Sequence, residues 1–336
     1  MRRPALLAAL LAALLAIELS CSAQENAPLV AAAQKEGSVT LYTSFAERDL
    51  PPIAAAFEKK YGVKLRVWRS ASEKVLQRTL AEAAARRYDV DAVHSSAMEM
   101  EALHREGLLR AVDSPYAGDL IEGAVRPHRE WTASYLSIWV QAYNTRLVKK
   151  DELPRRLEDL LDPRWKGRLG IESHVWDWYS SVILRMGEQK GLAFFRELVA
   201  KNGLSVRSGH TLLNNLVVAG DVPMAITMYN FIADGAKRKG ADVDWIALEP
   251  LIGRMSGIGV MRRAPHPNAT LLFHDWLLSP EGQQVLASLD YVPTNAKVAS
   301  PFAKRKFTLV DPAFALDHSD RWEKSFEDVI VKGARR

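Results

Sequence analysis

Tyr229 and Asn230 are the two residues whose types and position best suit contact with a small solute. They follow the apolar run 222–228, which predicts a short buried strand, and a helix is predicted directly after them. In open α/β sheets, ligands bind beyond the carboxyl ends of the strands, so both side chains stand where a solute would lie. The phenol and the amide can each form hydrogen bonds. The alternative interpretation is that Tyr229 is a half-buried aromatic residue of one more βαβ unit.

Three more strands are predicted near the start of the chain, at 39–44, 63–68 and 90–94, and helices alternate with them. This alternation indicates a parallel α/β sheet with right-handed crossovers. Residues at or just beyond the strand ends are therefore candidate ligand contacts: Ser44, Phe45, Arg69, Ser70, Ser95 and Ser96. Hydroxyl groups and free helix N–H groups at one sheet edge suit an anion or a polar solute. Serines are also ordinary helix N-caps, so each one alone has a structural explanation.

A second alternation of strands and helices occupies about residues 144–255 and adds a second group of candidates. These residues lie where a predicted strand turns into a helix: Ser173, His174, Val175, Trp176 and Arg207. The free N–H groups and the dipole of a helix N-terminus favour an anion there. His174 can add positive charge and Trp176 offers a face for stacking. The open alternatives are a surface histidine and a core tryptophan.

The sequence carries no HExxH, GxSxG or P-loop pattern. Ser95, His94 and Asp91 are candidate parts of a hydrolase. However, Asp91 and His94 point to opposite faces of their predicted strand and cannot form a relay by themselves. The only cysteine is Cys21, which excludes thiol catalysis and cysteine-based metal sites from the folded body. We therefore expect a binding protein without a cofactor, and not an enzyme.

Residues 1–23 have the layout of a secretory signal peptide. Two arginines precede the uncharged Leu/Ala-rich run 5–17, and the small residues Cys21, Ser22 and Ala23 follow. We expect cleavage after Ala23 and export to the periplasm. A lipoprotein attached through Cys21 is the less favoured alternative, because a glutamate stands three residues before the cysteine. No later segment reaches the roughly 18 apolar residues that a membrane helix needs.

Composition places the folded body among ordinary globular proteins of one large or two medium domains. The chain has 336 residues, of which 48% are hydrophobic and 25% charged. Its net charge of +5 is spread along the sequence without a block of basic residues. That distribution does not suggest nucleic-acid binding, and it mildly favours an anionic ligand.

Three segments together resemble one protein family: DPRWKGRLGI (162–171), AGDVPMAI (219–226), and APHPNATLLFHDWLLSPEGQQVLA (264–287), which YVPTN (291–295) follows. Their order and spacing are similar to those of periplasmic substrate-binding proteins of ABC transporters, of the ferric-iron type related to extracellular solute-binding protein family 1. The resemblance covers 24–336.

The resemblance implies a two-lobed α/β fold of the type II-like periplasmic binding proteins, each lobe a sheet between helices. Lobe 1 would comprise 24–136 plus 258–336, and lobe 2 would comprise 137–257. Two crossing strands, expected at 133–143 and 257–261, would join the lobes. A solute would be held in the cleft by hinge closure.

The implied function is the capture of a small anionic or polar solute by a monomer. The solute would pass to an ABC permease and ATPase complex in the inner membrane. A sensor that presents its ligand to a receptor is the alternative class.

Ferric members of the family bind iron through a Tyr-Tyr pair, a histidine on the first loop and an acidic residue after the third strand. This chain has Tyr229-Asn230, Ser44-Phe45 and Ser95-Ser96 at those places. Because hard oxygen donors suit ferric iron, we expect no complete metal site. Tyr229 is the candidate ligand if iron binds, and chelated or anion-bound ferric iron remains the alternative solute.

Overall fold

The computed structural model describes residues 26–335, so the predicted signal peptide and Cys21 lie outside the described residues. No helix in this part is both long and apolar enough to cross a membrane. The strands are β1 (Ser38–Thr43), β2 (Lys64–Arg69), β3 (Ala92–Ser96), β4 (Leu109–Arg110), β5 (Trp131–Asn144), β6 (Leu169–Glu172), β7 (Ser205–Arg207), β8 (Met224–Tyr229), β9 (Val243–Ile246), β10 (Ile252–Met261), β11 (Val292–Pro293) and β12 (Thr308–Leu309).

The helices that alternate with these strands are α1 (Ala27–Glu36), α2 (Leu50–Tyr61), α3 (Ser72–Ala84), α4 (Ala97–Arg105), α5 (Trp176–Met186), α6 (Glu188–Asn202), α7 (His210–Ala219), α8 (Asn230–Arg238), α9 (Pro267–Leu278), α10 (Pro280–Ser288) and α11 (Pro312–Phe326).

The first lobe is built on a parallel sheet in the order β2–β1–β3, which confirms the predicted βαβαβ alternation. Helix α1 ends at Gly37, whose left-handed backbone (φ 76°) permits the turn into β1. Helix α9 covers one face of the sheet. There the ring of Phe57 on α2 lies 5.0 Å from that of Phe273 and 5.4 Å from that of Trp276.

Two long strands join the lobes. β5 pairs with β10 from Trp131 to Ile138, and it pairs with β8 and β9 from Trp139 to Asn144. β10 also pairs with β3, so it carries the first-lobe sheet across to β5. Every residue of β5 is buried. One continuous strand therefore belongs to both sheets, and the predicted crossing strands are confirmed.

Glycine is required where the two crossing strands lie closest together. A Cβ atom on Gly257 of β10 would stand 2.7 Å from the carbonyl oxygen of Thr132 and 2.7 Å from the ring of Trp131. Both atoms belong to β5, and the register of the two strands shifts between Ser256 and Gly257. The glycine thus permits a close approach that any side chain would prevent.

The second lobe continues the sheet in the order β5–β8–β6–β7. β8, β6 and β7 are parallel, so the carboxyl ends of all three strands meet at one edge. Helices α5 and α6 pack beside this sheet, with the ring of Trp178 5.7 Å from that of Phe195. The alternation of strands and helices matches the predicted second α/β unit.

The C-terminal helix α11 packs on the second lobe. Its Trp322 and Phe326 are buried in the same core as Tyr179 and Phe195 of α5 and α6. We expected 258–336 to belong to lobe 1, and the sequence pattern predicted no helix at 312–326. Arg105 of α4 in the first lobe donates to Asp317 of α11 at 3.1 Å. Helix α11 therefore contacts both lobes.

Candidate functional site

An ion pair between Arg254 and Asp177 lies where the two lobes meet. Arg254 belongs to the crossing strand β10, and Asp177 belongs to the first turn of α5 in the second lobe. Arg254 Nε lies 3.5 Å from Asp177 Oδ2, and the two side chains are 26% and 9% exposed. Burial opposes the charged guanidinium, but the carboxylates of Asp177 and Glu99 raise the pKa of Arg254. The site therefore holds a permanent positive charge between the lobes.

Tyr229, the first residue that the sequence singled out, lies beside this arginine. Arg254 Nη1 donates to the Tyr229 hydroxyl at 3.4 Å. The phenol ring stacks on His210, with centroids 4.2 Å apart and planes at 21°, and it lies 5.3 Å from the ring of Trp139. Burial raises the pKa of Tyr229, so the phenol is neutral at ordinary pH. Tyr229 is thus held between an aromatic stack and a cation.

Glu172 occupies the position where the sequence predicted an anion. The backbone N–H groups of Gly209 and His174 both donate to its carboxylate, the first at 2.9 Å. Burial alone would raise the pKa of Glu172, but these hydrogen bonds lower it. The loop amides that we expected to bind a solute anion therefore already bind the carboxylate of Glu172.

His210 stands between Glu172 and Tyr229 at the start of α7. Burial lowers the pKa of His210 to about 4, so its imidazole is neutral. Its Nε2 atom is buried and has no hydrogen-bond partner within the part of the chain that the structure describes. A neutral imidazole nitrogen can donate or accept, so His210 can bind either kind of polar group.

On the first-lobe side, two buried polar atoms also have no hydrogen-bond partner among residues 26–335. They are Ser95 Oγ, at the end of β3, and Glu99 Oε2, in the first turn of α4. Ser96 differs, because its hydroxyl donates to Ser72 Oγ at 2.7 Å. A buried polar group without a partner is costly, so Ser95 and Glu99 are available to a bound solute or to water.

The other first-lobe candidates hold the loop that follows β1. Phe45 is fully buried and its ring stacks on His94 at 3.9 Å. The carbonyl of Phe45 accepts from Arg69 Nε at 3.0 Å. Ser44 is half-buried and its N–H donates to His94, while the N–H of Ser70 donates to Thr43. These contacts fix the backbone at the sheet edge, and Arg69 remains exposed.

Asn230 ties the crossing strand to the first lobe. Its Oδ1 accepts from the N–H of Ile138 at 3.2 Å, and its Nδ2 donates to the carbonyl of Asp290 at 3.1 Å. The side chain is 1% exposed. Both ends of the amide are therefore engaged within the protein, which gives Asn230 a positioning role in the structure.

The remaining second-lobe candidates differ in how deeply they are buried. Val175 is buried in the core, whereas Arg207 is exposed at the end of β7. Ser173 is half-buried and its hydroxyl lies 2.8 Å from Nδ1 of the exposed His174. Trp176 is half-buried and lines the space between the lobes. Of the four junction residues 173–176, the structure thus brings His174 and Trp176 to the cleft.

One enclosed cavity between the lobes is small. It measures about 40 Å³ and is lined by residues of both lobes, of β10 and of α11, among them Met98, Trp176, Asp177, Arg254 and Pro312. Since one water needs about 10–15 Å³ of such a cavity, it holds roughly three or four waters. A more open groove of about 730 Å³ is lined by Glu73 of the first lobe, by Ser173 and Trp176 of the second, and by residues of α11. A larger solute therefore has room in this groove, whereas the enclosed cavity holds only water.

Sequence reasoning missed Arg254, Asp177 and Glu99. One signal was available for Arg254, because it is the only charged residue in the otherwise apolar crossing segment 252–261. A charge in a strand that is buried on both sides needs a partner or a ligand. Asp177 and Glu99 carry no comparable signal, because acidic residues are common in the first turn of helices.

Comparisons with known proteins agree on one fold. A sequence model of the family described as bacterial extracellular solute-binding protein matches residues 91–318. Iron uptake protein A1 of Synechocystis sp. is 25% identical over 304 residues, which cover 84% of this chain and 84% of that protein.

Two solved structures are similar along nearly their whole length. Iron-bound HitA of Pseudomonas aeruginosa has a TM-score of 0.75 at 22% identity, covering 87% of this chain and 99% of that one. The periplasmic binding protein AfuA of Actinobacillus pleuropneumoniae, with fructose-6-phosphate bound, has a TM-score of 0.72 at 23% identity, covering 88% and 99%. At these identities the likeness shows the two-lobed fold.

Proposed function

The chain belongs to the bacterial extracellular solute-binding proteins, and on this basis we propose that it captures a small organic anion through Arg254 and delivers it to a membrane permease. The observation that carries this proposal is the guanidinium of Arg254 on a crossing strand between the lobes. Its contacts within the protein are long, 3.4 Å to Tyr229 and 3.5 Å to Asp177. Because a guanidinium has five N–H donors in a planar fork, it can still bind a carboxylate or phosphate in a bidentate manner.

The solute also carries hydrogen-bond donors. Glu99 is a buried acceptor with one oxygen unpartnered, and Ser95 Oγ and His210 Nε2 are likewise unpartnered in the described chain. A carboxylate can only accept, so its natural partner is a hydroxyl or an amine. The neighbouring Asp177 and Glu172 add negative charge that favours the same groups. The solute class that meets these demands is a small carboxylate or phosphate with hydroxyl or amino substituents.

Iron is the second candidate, because one relative is named an iron uptake protein and one similar structure is iron-bound. Two features oppose the bare ion. The guanidinium of Arg254 bonds to Tyr229, the phenol that would ligate iron, and its charge repels a trivalent cation. Asn230, which stands beside it, has both amide atoms engaged elsewhere. An anionic ferric chelate avoids the electrostatic objection, because its negative charge would be attracted to Arg254.

The proposal extends to export and delivery. Residues 1–23 would direct export and be removed after Ala23, and a monomer would deliver the solute to a permease and ATPase complex. The location is supported by the names of one relative, the Fe(3+)-binding periplasmic protein of Serratia marcescens, and of one similar structure, the periplasmic binding protein AfuA. The proposed lobes remain 24–136 with 258–336, and 137–257. Because α11 contacts both lobes, it would change its contacts when they open.

The test is a binding screen of the exported protein by thermal shift, followed by calorimetry. Sugar phosphates, hydroxycarboxylates, amino acids and ferric citrate are the probes. A solute at 100 times its Kd adds about 2.7 kcal/mol of stability, which such a screen detects. We expect a hydroxylated or amino-substituted anion to bind. Colour from phenolate-to-iron charge transfer at equimolar ferric ion would instead favour iron.

Two matched Arg→Met variants test whether solute affinity depends on Arg254 itself or on positive charge in general. R254M should weaken binding about 10- to 100-fold, because a hydrogen bond to a charged group contributes about 1.5–3 kcal/mol. R196M removes an exposed arginine of helix α6 in the same lobe and should leave the affinity within twofold of the wild type. Equal affinities of R254M and the wild type would refute the proposed anchor.

A further inference from the structure

Two histidines and a carboxylate form a second cluster in the first lobe. Glu101 and His104 stand on α4, and His128 lies in the loop just before β5. One possible ligand atom from each residue lies within 4.8 Å of those from the other two. Glu101 is buried, and both histidines are half-buried. None of the three residues lines the inter-lobe cavity described above.

His104 is held in the orientation that metal-ligating histidines adopt. Its Nδ1 lies 2.8 Å from Glu130 Oε2, which leaves Nε2 as the coordinating nitrogen. A carboxylate on the second ring nitrogen fixes the tautomer and increases the basicity of the first. Arg262 lies 3.4 Å from the other oxygen of Glu130 and so holds this carboxylate in turn.

His128 completes the pair. Its ring stacks on that of His104, with centroids 3.6 Å apart and planes at 12°. A bound metal lies in the plane of each imidazole that holds it, so the ring of His128 must turn out of this stack before the two histidines can share an ion. The buried Nε2 of His128 lies 3.5 Å from Glu101 Oε2 and has no hydrogen-bond partner in the described structure.

Glu101 supplies the negative charge. Its Oε2 accepts from the indole N–H of Trp131 at 3.3 Å, and Arg105 Nε lies 3.9 Å from its Oε1. Each carboxylate oxygen has two lone-pair directions, so these contacts leave capacity for a cation. Trp131 is the first residue of the crossing strand β5. An ion on Glu101 would therefore fasten α4 to the start of that strand.

We propose that Glu101, His104 and His128 bind a divalent transition-metal ion such as Zn²⁺. Two imidazoles and one carboxylate form a known zinc ligand set and also suit Ni²⁺ and Cu²⁺, while Mg²⁺ and Ca²⁺ prefer all-oxygen sites. His128 Nδ1 now accepts from the N–H of Glu130 at 3.0 Å. Coordination through Nε2 moves the ring proton to Nδ1 and breaks this one hydrogen bond. The ion would link α4 to the segment before β5.

Calorimetry of the tag-free, chelator-treated exported protein with ZnCl₂ tests this proposal. We expect one Zn²⁺ per chain, a higher melting temperature with Zn²⁺ and no comparable effect of MgCl₂. Co²⁺ should give the visible absorption bands of a low-coordinate site. Failure to bind Zn²⁺ at 100 µM would overturn the proposal.

Four variants locate the ion. H128Q and E101Q should each weaken Zn²⁺ binding at least tenfold, and E130Q should weaken it about 10- to 100-fold by releasing His104. H318Q, on helix α11 and outside the cluster, is the control and should keep the wild-type affinity. Circular dichroism of the metal-free variants checks that each one folds. Zn²⁺ affinity that survives both H128Q and E101Q in folded protein would place the ion elsewhere.

Discussion

The buried side chain of His94 should make the free energy of unfolding depend on pH. Its side chain is completely buried under Phe45, and its Nε2 lies 2.8 Å from Ser134 Oγ. Its Nδ1 lies 3.4 Å from Thr43 Oγ1. Neither partner carries a charge that would stabilise an imidazolium. Burial therefore lowers the pKa of His94 from 6.5 to about 3.

The folded protein thus excludes a proton that the unfolded chain binds below pH 6.5. The neutral histidine contributes stability that is fully present above pH 6.5 and is lost as the pH falls towards 3. Between pH 7 and pH 5 the loss is about 2 kcal/mol, from a pKa near 6.5 in the unfolded state. Any folded-state pKa of 4 or below gives nearly the same value, since pH 5 lies above it.

Urea unfolding at pH 7, 6 and 5 measures this contribution. In H94Q the amide can still bond to Ser134 but cannot titrate. The variant should therefore lose about 2 kcal/mol less than the wild type between pH 7 and pH 5, even if its stability at pH 7 is lower. V93A truncates a buried residue of the same strand and removes no titratable group, so as the control it should lose stability at pH 7 but keep the wild-type pH dependence. Equal losses in H94Q and the wild type, with equal m-values, would refute the linkage.

Three further outcomes are expected. Y229A should weaken solute binding about tenfold or more in calorimetry while its circular dichroism stays native, because Tyr229 contacts Arg254 at the cleft; unchanged affinity would leave it a packing residue. W322A should lower the free energy of urea unfolding by about 3–5 kcal/mol, because the indole is 1% exposed; a loss below 1 kcal/mol would contradict its core position. G257A should lower the melting temperature because its Cβ meets the carbonyl of Thr132, whereas G118A, with no atom within 4 Å, should not; equal melting temperatures would dispute the close strand approach.

Elements with strong periodicity could be predicted from the sequence, because their patterns are local. The alternation of apolar strands and amphipathic helices depends on neighbours within about ten residues, so β1, β2 and β8 lie close to their predicted bounds. The family resemblance added the two lobes and the crossing strands. The destination of α11 was not predictable, because its apolar face, with Trp322 and Phe326, fits either lobe until both are folded.

The candidate site also has one part that the sequence predicts and another that it does not. That Tyr229 ends a strand at the carboxyl edge of a sheet follows from the sequence, since strand ends and ligand edges coincide in α/β folds. That Asn230 binds Ile138 and Asp290 does not follow, because those partners are distant in the chain. The same holds for Glu172, whose carboxylate takes up the amides expected to bind a solute.

The sequence by itself therefore determined the order of the elements and, through the family resemblance, the class of the protein, because both depend on local pattern. It also predicted the sheet edge at which a solute would bind. Only the tertiary structure singled out the charge that we propose as the anchor of the solute. Arg254 is one of 45 basic residues in the sequence. It differs from the others because the crossing strand partly buries it and the folded chain places Asp177 and Tyr229 beside it. Burial strengthens the electrostatic interactions of this guanidinium because the surroundings have a lower dielectric constant than water, and both its burial and its partners depend on the assembled lobes.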